Sequence, residues 1–435
     1  MRLTSLLFLL GAVFVLGNCP TNAQTLQFRE VLHSDTQVPG FGPNTTASFV
    51  RSDGDEDVFI ASGFNATTNQ NEFGIIRRSS DGSFSTLVDH NTIVSHPIFS
   101  GTTTFSFIDA VDVFENDVFF SGRVSTDNYL YRLGSGGTPQ LIEQTGTSPR
   151  TFRNLRVLAN GDVVMHGSGT SSVFNNPGFY KNSGGTNTTI ANRNTAVPSG
   201  TGNFDIDSFQ SSRGDIGKNG SILFHGSNGA GLSGVYSDRS GTLEKIFDTN
   251  DFMPGTGEQF LGFADTEIDN NVAYFAAATV NPSNNRIGFY SVDEAGNFDT
   301  LVNNDTPYGD DEFLNFDTFS LAVNGDAAVF RAVTDNDPEL VTYYKVGSTF
   351  GELARVGDVI DGRQISFLAG ASAAEEGEFY ISFRFTDNTL GTYRVAVSAV
   401  PEPSLFAPIL IAAGCCLMQR RHRKRVRSSR SSATV

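Results

Sequence analysis

A turn-forming triplet returns seven times along the 435 residues: Asp55-Glu56-Asp57, Glu115-Asn116-Asp117, Asn160-Gly161-Asp162, Asn219-Gly220-Ser221, Asp269-Asn270-Asn271, Asn324-Gly325-Asp326 and Glu376-Gly377-Glu378. Each is followed by a short apolar run: Val58 to Ala61, Val118 to Phe120, Val163 to Met165, Ile222 to Phe224, Val272 to Phe275, Ala327 to Phe330 and Phe379 to Ile381. A third column, Ile76, Tyr131, Tyr180, Tyr236, Tyr290, Tyr344 and Tyr393, recurs at intervals of 49 to 56 residues, mostly one or two positions after a glycine. Three columns repeating in phase at that period mark a solenoid, a propeller or an array, and no other feature narrows the possible folds as much.

Asn-Gly and related pairs tolerate the positive φ of a tight hairpin, so each triplet joins two antiparallel strands. A fourth strand follows a polar turn at Thr86-Leu87-Val88, Gln140-Leu141-Ile142, Thr189-Ile190-Ala191, Lys245-Ile246-Phe247, Thr300-Leu301-Val302 and Leu353-Ala354-Arg355-Val356. The seventh repeat lacks one. Its counterpart stands at the other end of the chain, where Glu30-Val31-Leu32-His33 through Val38-Pro39-Gly40 matches Lys245-Ile246-Phe247-Asp248 through Met253-Pro254-Gly255 at equal spacing. A propeller closes its ring by completing the last blade with a strand from the opposite terminus, which removes the open edge of a tandem array. The pattern therefore predicts an all-β, seven-bladed β-propeller over residues 24–399, closed by an N-terminal strand. Phe319 to Val356 reads as one complete blade. Inner strands are predicted at Phe49-Val50, Phe107-Ile108, Leu155-Arg156-Val157, Phe319-Ser320-Leu321 and Ile365-Ser366-Phe367, lining the channel.

The two ends are of another kind. Residues 1–23 have a basic start at Arg2, an apolar core from Leu6 to Leu16, and Thr21 and Ala23 placed for cleavage, the pattern of a secretory signal peptide. Cys19 raises a lipoprotein alternative, but Asn18 stands where a lipidation motif takes a small residue. The three cysteines all lie in the end segments, so the body depends on core burial rather than disulfides. With those segments set aside, 22 basic residues face 46 acidic ones, a net of −24. Such a surface repels nucleic acid and anionic lipid.

At the C-terminus, Val400-Pro401-Glu402-Pro403-Ser404 breaks the strand pattern, Leu405 to Met418 is continuously apolar, and a basic block with Arg420, Arg421, Arg423, Lys424 and Arg425 follows. The apolar run is short for a spanning helix, and the basic block would hold its end on the cytoplasmic side. These residues closely resemble the PEP-CTERM sorting signal, here over 400–427 with a polar tail at 428–435. The resemblance implies a Gram-negative protein exported by the general secretory machinery, held by a short transmembrane helix as an inner-membrane intermediate, then processed near Pro401 to Ser404 by an exosortase-type enzyme. Its destination is then the cell surface or the extracellular matrix. The tag identifies a route and not an activity, and the body resembles the uncharacterised repeat propellers that often carry it.

Candidate chemistry is sparse. His166 and His225 occupy one column in neighbouring repeats, as a metal or acid–base pair requires. The other members of that column, Ala61, Ser121, Ala276, Arg331 and Ser382, supply no third imidazole or carboxylate, so satisfied strand histidines are the plainer reading. Asp53, Asp55 and Asp57, and separately Asp335 and Asp337, offer oxygen ligands to Ca²⁺, although turn chemistry alone explains them. The turns at Asp81-Gly82-Ser83-Phe84, Ser237 to Gly241 and Asp293 to Phe298 faintly resemble the Asp-box of sialidase-type propellers, without its aromatic and hydroxyl pattern. No nucleophile elbow, zincin helix, P-loop or dinucleotide fingerprint is present.

These readings point to a surface-sorted module that binds extracellular polysaccharide or an envelope protein, with no evident cofactor and no nucleic-acid partner. The alternative is a secreted glycosidase or sialidase-like hydrolase with its site at one mouth of the channel. Carboxylates clustered with Arg or Tyr in the channel favour the alternative; a lining of Ser, Ala and Phe does not.

Overall fold

The computed structural model describes residues 26–397 apart from positions 43, 66–68, 96–99, 126, 144–148, 170–176, 206, 211–213, 281–284 and 375–376. The expected leader and the sorting segment, Val400 to Ser404 and the arginines of 420–425 included, lie outside these residues. Residues 26–397 form one unit, in which most strands pair with their sequence neighbours. The first blade is Thr46–Asp53, Glu56–Asn65, Gln70–Arg78 and Phe84–Asp89. Blades 2 to 6 follow within residues 107–143, 149–192, 214–248, 259–303 and 311–354. Blade 7 takes Arg363–Ala373, Glu378–Phe385 and Leu390–Ala396, and its outer strand is Phe28–His33 from the N-terminus, paired antiparallel with Leu390–Ala396. The fold is the expected all-β, seven-bladed propeller, closed as the spacing predicts. A single-turn helix, Asp207–Gln210, lies between blades 3 and 4. Among the described residues no helix is long and apolar enough to cross a membrane.

The hairpin triplets do what their composition requires. Glu115 and Asn116 both have positive φ, as do Asn270 and Asn271, so these two-residue turns curl with the twist of the flanking strands. Gly54 and Gly325 alone carry the positive φ in the first and sixth hairpins.

Each outer strand is bulged at one station, and the extra residue is always a branched aliphatic: Leu87, Ile142, Ile190, Ile246, Leu301, Leu353 and, on the closing strand, Val31. The bulge bends the outer strand and strengthens its twist. Opposite it stands the buried residue of the third strand: Ile76, Tyr131, Tyr180, Tyr236, Tyr290, Tyr343 and Tyr393. This corrects the sequence column at one place. Tyr343, not Tyr344, is the blade-6 member: it pairs with Phe330 and packs in the cluster between blades 5 and 6, whereas Tyr344 packs between blades 6 and 7. Alternate side chains of a strand face opposite sides, so a one-residue misalignment exchanges one seam for the other.

Two residues before that column stand Gly74, Gly178, Gly234, Gly288 and Gly391, each paired with the last residue of the outer strand: Asp89, Asn192, Asp248, Asn303 and His33. At the first four a Cβ would lie 2.3–2.6 Å from the carbonyl oxygen of Val88, Ala191, Phe247 or Val302. The glycine is required by close approach, not by φ. Its partner then caps the exit turn. Asp89, Asn192, Asp248 and Asn303 each accept the N–H two residues on at 2.7–3.0 Å, and His33 Nδ1 accepts that of Asp35 at 3.2 Å in the same place.

Burial is organised by seams. Among the described residues seven apolar clusters occur, one between each pair of adjacent blades. The seam joining blade 7 to blade 1 buries Val31, Leu32, Val38 and Phe41 from the N-terminal segment against Phe59 and Tyr380.

Blade 6 departs from expectation. Its inner strand starts at Asp311, ahead of the expected unit, as Asp311–Phe316, breaks, and resumes as Ala322–Asn324. Phe319-Ser320-Leu321 therefore forms no strand. Asp317 and Ser320 fold the break on themselves, since Ser320 N–H and Oγ both donate to the Asp317 carbonyl.

Candidate functional site

The inner strands line the channel, and pairing register brings one station of each into correspondence. Opposite the second-strand residue that precedes the partner of the buried column stand, blade by blade, Arg51, Asp112, Arg156, Asp215, Glu267, Ala322 and Ser372. Five consecutive blades thus present charged groups at one level, and the next two present small residues.

These side chains reach for the following blade. Arg51 Nε lies 3.4 Å from Asp112 Oδ1, and its Nη2 donates to Asn154 Oδ1 at 3.3 Å. Asp112, with 3% of its side chain exposed, accepts the Val157 N–H at 2.8 Å and Arg156 Nη1 at 3.3 Å. Asp215 accepts the Ile268 N–H at 3.1 Å and Asn154 Nδ2 at 3.5 Å, and hydrogen-bonds Glu267. Bridging to the next blade's backbone satisfies buried amides and holds neighbouring blades in register.

The charges perturb one another. Burial, then the adjacent Asp215 and Asp265 carboxylates, push the Glu267 carboxyl well above the usual range, so it keeps its proton. Burial lifts Asp265 to about 7, with the Leu321 and Thr266 N–H groups opposing and Asp215 and Asp317 reinforcing. Burial and then the Arg156 charge lower Arg51. With Glu267 protonated, Arg51 and Arg156 balance Asp112 and Asp215. Beside this floor Arg331 is paired with Asp317 and donates to the Leu368 carbonyl of blade 7.

At the end of the blades where the inner strands begin, apolar side chains stand in water. Phe107, Leu261, Leu314 and Phe367 lie on the starting halves of their inner strands and Phe64 near the end of an antiparallel second strand, each 43–55% exposed, whereas Phe319, 57% exposed, lies farther along, in the blade-6 break opposite Arg331. The Arg123 guanidinium stands 5.3 Å from the Phe107 ring centroid and 3.5 Å from Asp109. Burial raises the Asp109 carboxyl to about 6 against the pull of Arg123.

The residues singled out from sequence occupy other places. His166 is buried, stacks on Phe179 at 4.6 Å between centroids and has Nε2 2.9 Å from the Phe209 carbonyl, while His225 Nε2 lies 2.7 Å from Ser233 Oγ. The two imidazoles thus engage different partners. Asp57 is fully buried among Arg29, Arg78, Arg394 and Tyr380. Asp55 is exposed, its carbonyl accepting from Arg29, while the Asp335 N–H donates to the Glu312 carbonyl and Asp337 pairs with Arg355 at 2.6 Å. Asp53 ends the first inner strand. Among the described residues no group of three or more His, Cys, Asp or Glu side chains is arranged to hold a metal ion.

The charged station escaped the sequence columns because hairpin loops differ in length. Two residues separate inner from second strand in blades 1, 2, 5 and 6, but five in blades 3, 4 and 7. Counting back from the turn misaligns Arg156 and Asp215 with the others; counting from the second strand aligns all seven.

A family model described as a family of unknown function, DUF7453, matches residues 58–374. No curated protein matches the chain. Among solved structures, the β-propeller domain of the Trilobed protease from Pyrococcus furiosus aligns at 10% identity over 83% of this chain and 98% of that one, with a TM-score of 0.48. A prolyl endopeptidase aligns at 12% identity over 82% of this chain and 51% of that one, TM-score 0.49, so this chain spans about half its length. The polysaccharide lyase Uly1 aligns at 11% identity over 86% and 94%, TM-score 0.48.

Proposed function

The chain belongs to the DUF7453 family of unknown function, and from that premise we propose that it is an exported, surface-sorted binding module whose ligand is an extracellular polysaccharide docking at the channel end that carries the exposed aromatic rim. The observation that carries this reading is the rim itself. Phe107 and Phe367 stand about half exposed on the starting halves of their inner strands, and Phe319 is exposed in the blade-6 break, on a body with a strong excess of acidic residues. Exposed aromatics are suited to interaction, and flat rings match the C–H faces of sugars. The negative surface disfavours anionic polymers, so the ligand class is a neutral or basic glycan.

Binding to insoluble neutral and basic polysaccharides, measured by co-sedimentation, tests the reading. Retention that falls about tenfold or more in a Phe319→Ala/Phe367→Ala double variant of unchanged thermal stability is the expected result. Equal retention of both proteins, or none by the parent, overturns it.

Export is the second half of the proposal and rests on the leader-like residues 1–23 and on Pro401-Glu402-Pro403 with its apolar and basic sequel. Replacing Pro401, Glu402 and Pro403 with alanine is expected to leave a larger, membrane-retained species. Unchanged processing removes the sorting assignment.

The hydrolase reading is favoured by one observation, the Asp215–Glu267 pair beside Arg51 and Arg156 in the channel. Against it, the Asp215 oxygens already accept from the Ile268 N–H and Asn154 Nδ2. Glycan hydrolysis that Glu267→Gln abolishes decides for an enzyme.

A further inference from the structure

The seams between blades differ on the face that carries the hairpin turns. Opposite Val58, blade 1 places Arg77, which pairs with Glu56 at 3.4 Å and extends across the seam to the Asn116 carbonyl of blade 2 at 3.4 Å. At the corresponding place blade 5 has Ser291, opposite Tyr274. Blade 4 also has a serine there, Ser237, but Arg239 crosses its seam to donate to the carbonyls of Asn271 and Val292 in blade 5. Ser291 spans nothing, and the seam between blades 5 and 6 stays open as a cleft of about 440 Å³.

That volume falls within the roughly 300–1,000 Å³ of small-molecule sites. The cleft has an apolar floor from Leu301 and the small residues of the blade-6 hairpin, with Tyr274, Ser291, Asp299, Asp326 and Lys345 around it. Its charges are not spent on each other. Among the described residues Lys345 pairs with no carboxylate and its ammonium stands 5.9 Å from the Phe350 ring centroid. Asp326 pairs with no cation, and Asp299 accepts only the neighbouring Thr300 N–H, at 2.9 Å. Burial, then the Asp269 and Asp326 charges, push the Tyr274 phenol up to about 12, so it remains a hydrogen-bond donor.

We infer that the cleft between blades 5 and 6 is a second binding site, which takes a single neutral sugar unit. Vicinal hydroxyls donate to Asp299 and Asp326 and accept from Lys345 and Tyr274, and the sugar's C–H face lies on Leu301. Both carboxylates oppose an anionic ligand, and set against the one ammonium of Lys345 they leave the cleft net negative. The site stands apart from the aromatic rim and does not depend on it.

Ligand-observed NMR on the full chain with D-glucose, N-acetyl-D-glucosamine and anionic D-glucuronate tests the assignment. At least one of the two neutral sugars is expected to bind with a Kd on the order of 1 mM, more tightly than glucuronate. Ser291→Arg, which gives blade 5 the side chain that spans the first seam, and Asp326→Ala, at an exposed turn, are each expected to weaken that binding about tenfold, whereas Phe319→Ala leaves it unchanged. Two variants guard against a fold defect in either. Failure of both neutral sugars to bind, preference for glucuronate, or binding insensitive to a folded Ser291→Arg or Asp326→Ala protein overturns the proposal. Loss of binding in Phe319→Ala alone assigns the sugar to the rim instead.

Discussion

Tyr380 Oη donates a 2.8 Å hydrogen bond to Asp57 Oδ1 across the seam where the last blade meets the first. The same carboxylate takes Arg29 Nη2 of the closing strand at 2.9 Å and Arg394 Nη1 of blade 7 at 3.3 Å, with Asp57 wholly out of water. Three elements far apart in sequence converge on one buried anion. Removing it leaves the arginines facing each other, so Asp57→Ala is expected to destabilise the fold by about 3–5 kcal/mol. Asp57→Asn keeps the shape and an acceptor and is expected to lose less. Urea unfolding followed by tyrosine fluorescence checks both.

The closing strand is testable as a unit. Deleting residues 26–33 leaves blade 7 with three strands and exposes the edge of Leu390–Ala396. Unpaired edges template association. The shortened protein is expected to lose its cooperative thermal transition and to elute as oligomers in size-exclusion chromatography.

Close approach, rather than φ, is what fixes Gly288. A Cβ there meets the Val302 carbonyl oxygen at 2.3 Å and the Asn303 Cβ at 2.5 Å, and both belong to the adjoining strand. Gly288→Ala is expected to cost about 1–3 kcal/mol. Gly262→Ala, where nothing lies within 4 Å and φ is ordinary, is the control and is expected to stay within about 0.5 kcal/mol of the parent.

The channel carboxyls make stability fall as pH rises. Asp265 sits at about 7 in the fold against an ordinary 3.8, so between those values the native protein holds a proton that the unfolded chain has released. Its stabilisation is complete below the unfolded value and is lost as pH climbs through the folded one. Asp265→Asn, which keeps an acceptor for the Leu321 N–H, is expected to flatten the decline in Tm between pH 4 and 8. An unchanged slope assigns the dependence to Glu267 and its neighbours.

How far the sequence could be read follows from what each signal depends on. The blade count and the closure were legible because they rest on local chemistry repeated in phase: turn triplets, apolar runs, and glycine two residues ahead of a buried aromatic. Tyr344 reads as the column member in place of Tyr343 because two tyrosines adjoin and only the bulge at Leu353 tells them apart. The break at Phe319 is hidden because Phe319-Ser320-Leu321 alternates like a strand, although only Phe319 is exposed and both Ser320 and Leu321 are buried. The charged station around Arg51 and Glu267 was not legible at all. Its members come from five blades, and a contact between blades leaves no spacing in the chain.

The closing strand has a consequence for timing. Phe28–His33 leaves the ribosome before every other strand of the propeller, and its partner, Leu390–Ala396, leaves after all of them. Six blades can form from neighbouring strands as they appear, while the first strand waits for almost the whole body to be made. Pairing over so long a separation is slow, and the waiting strand is open to wrong partners. The step that completes the ring therefore waits for Leu390–Ala396, so a chain cut short before that strand leaves Phe28–His33 without its partner as well.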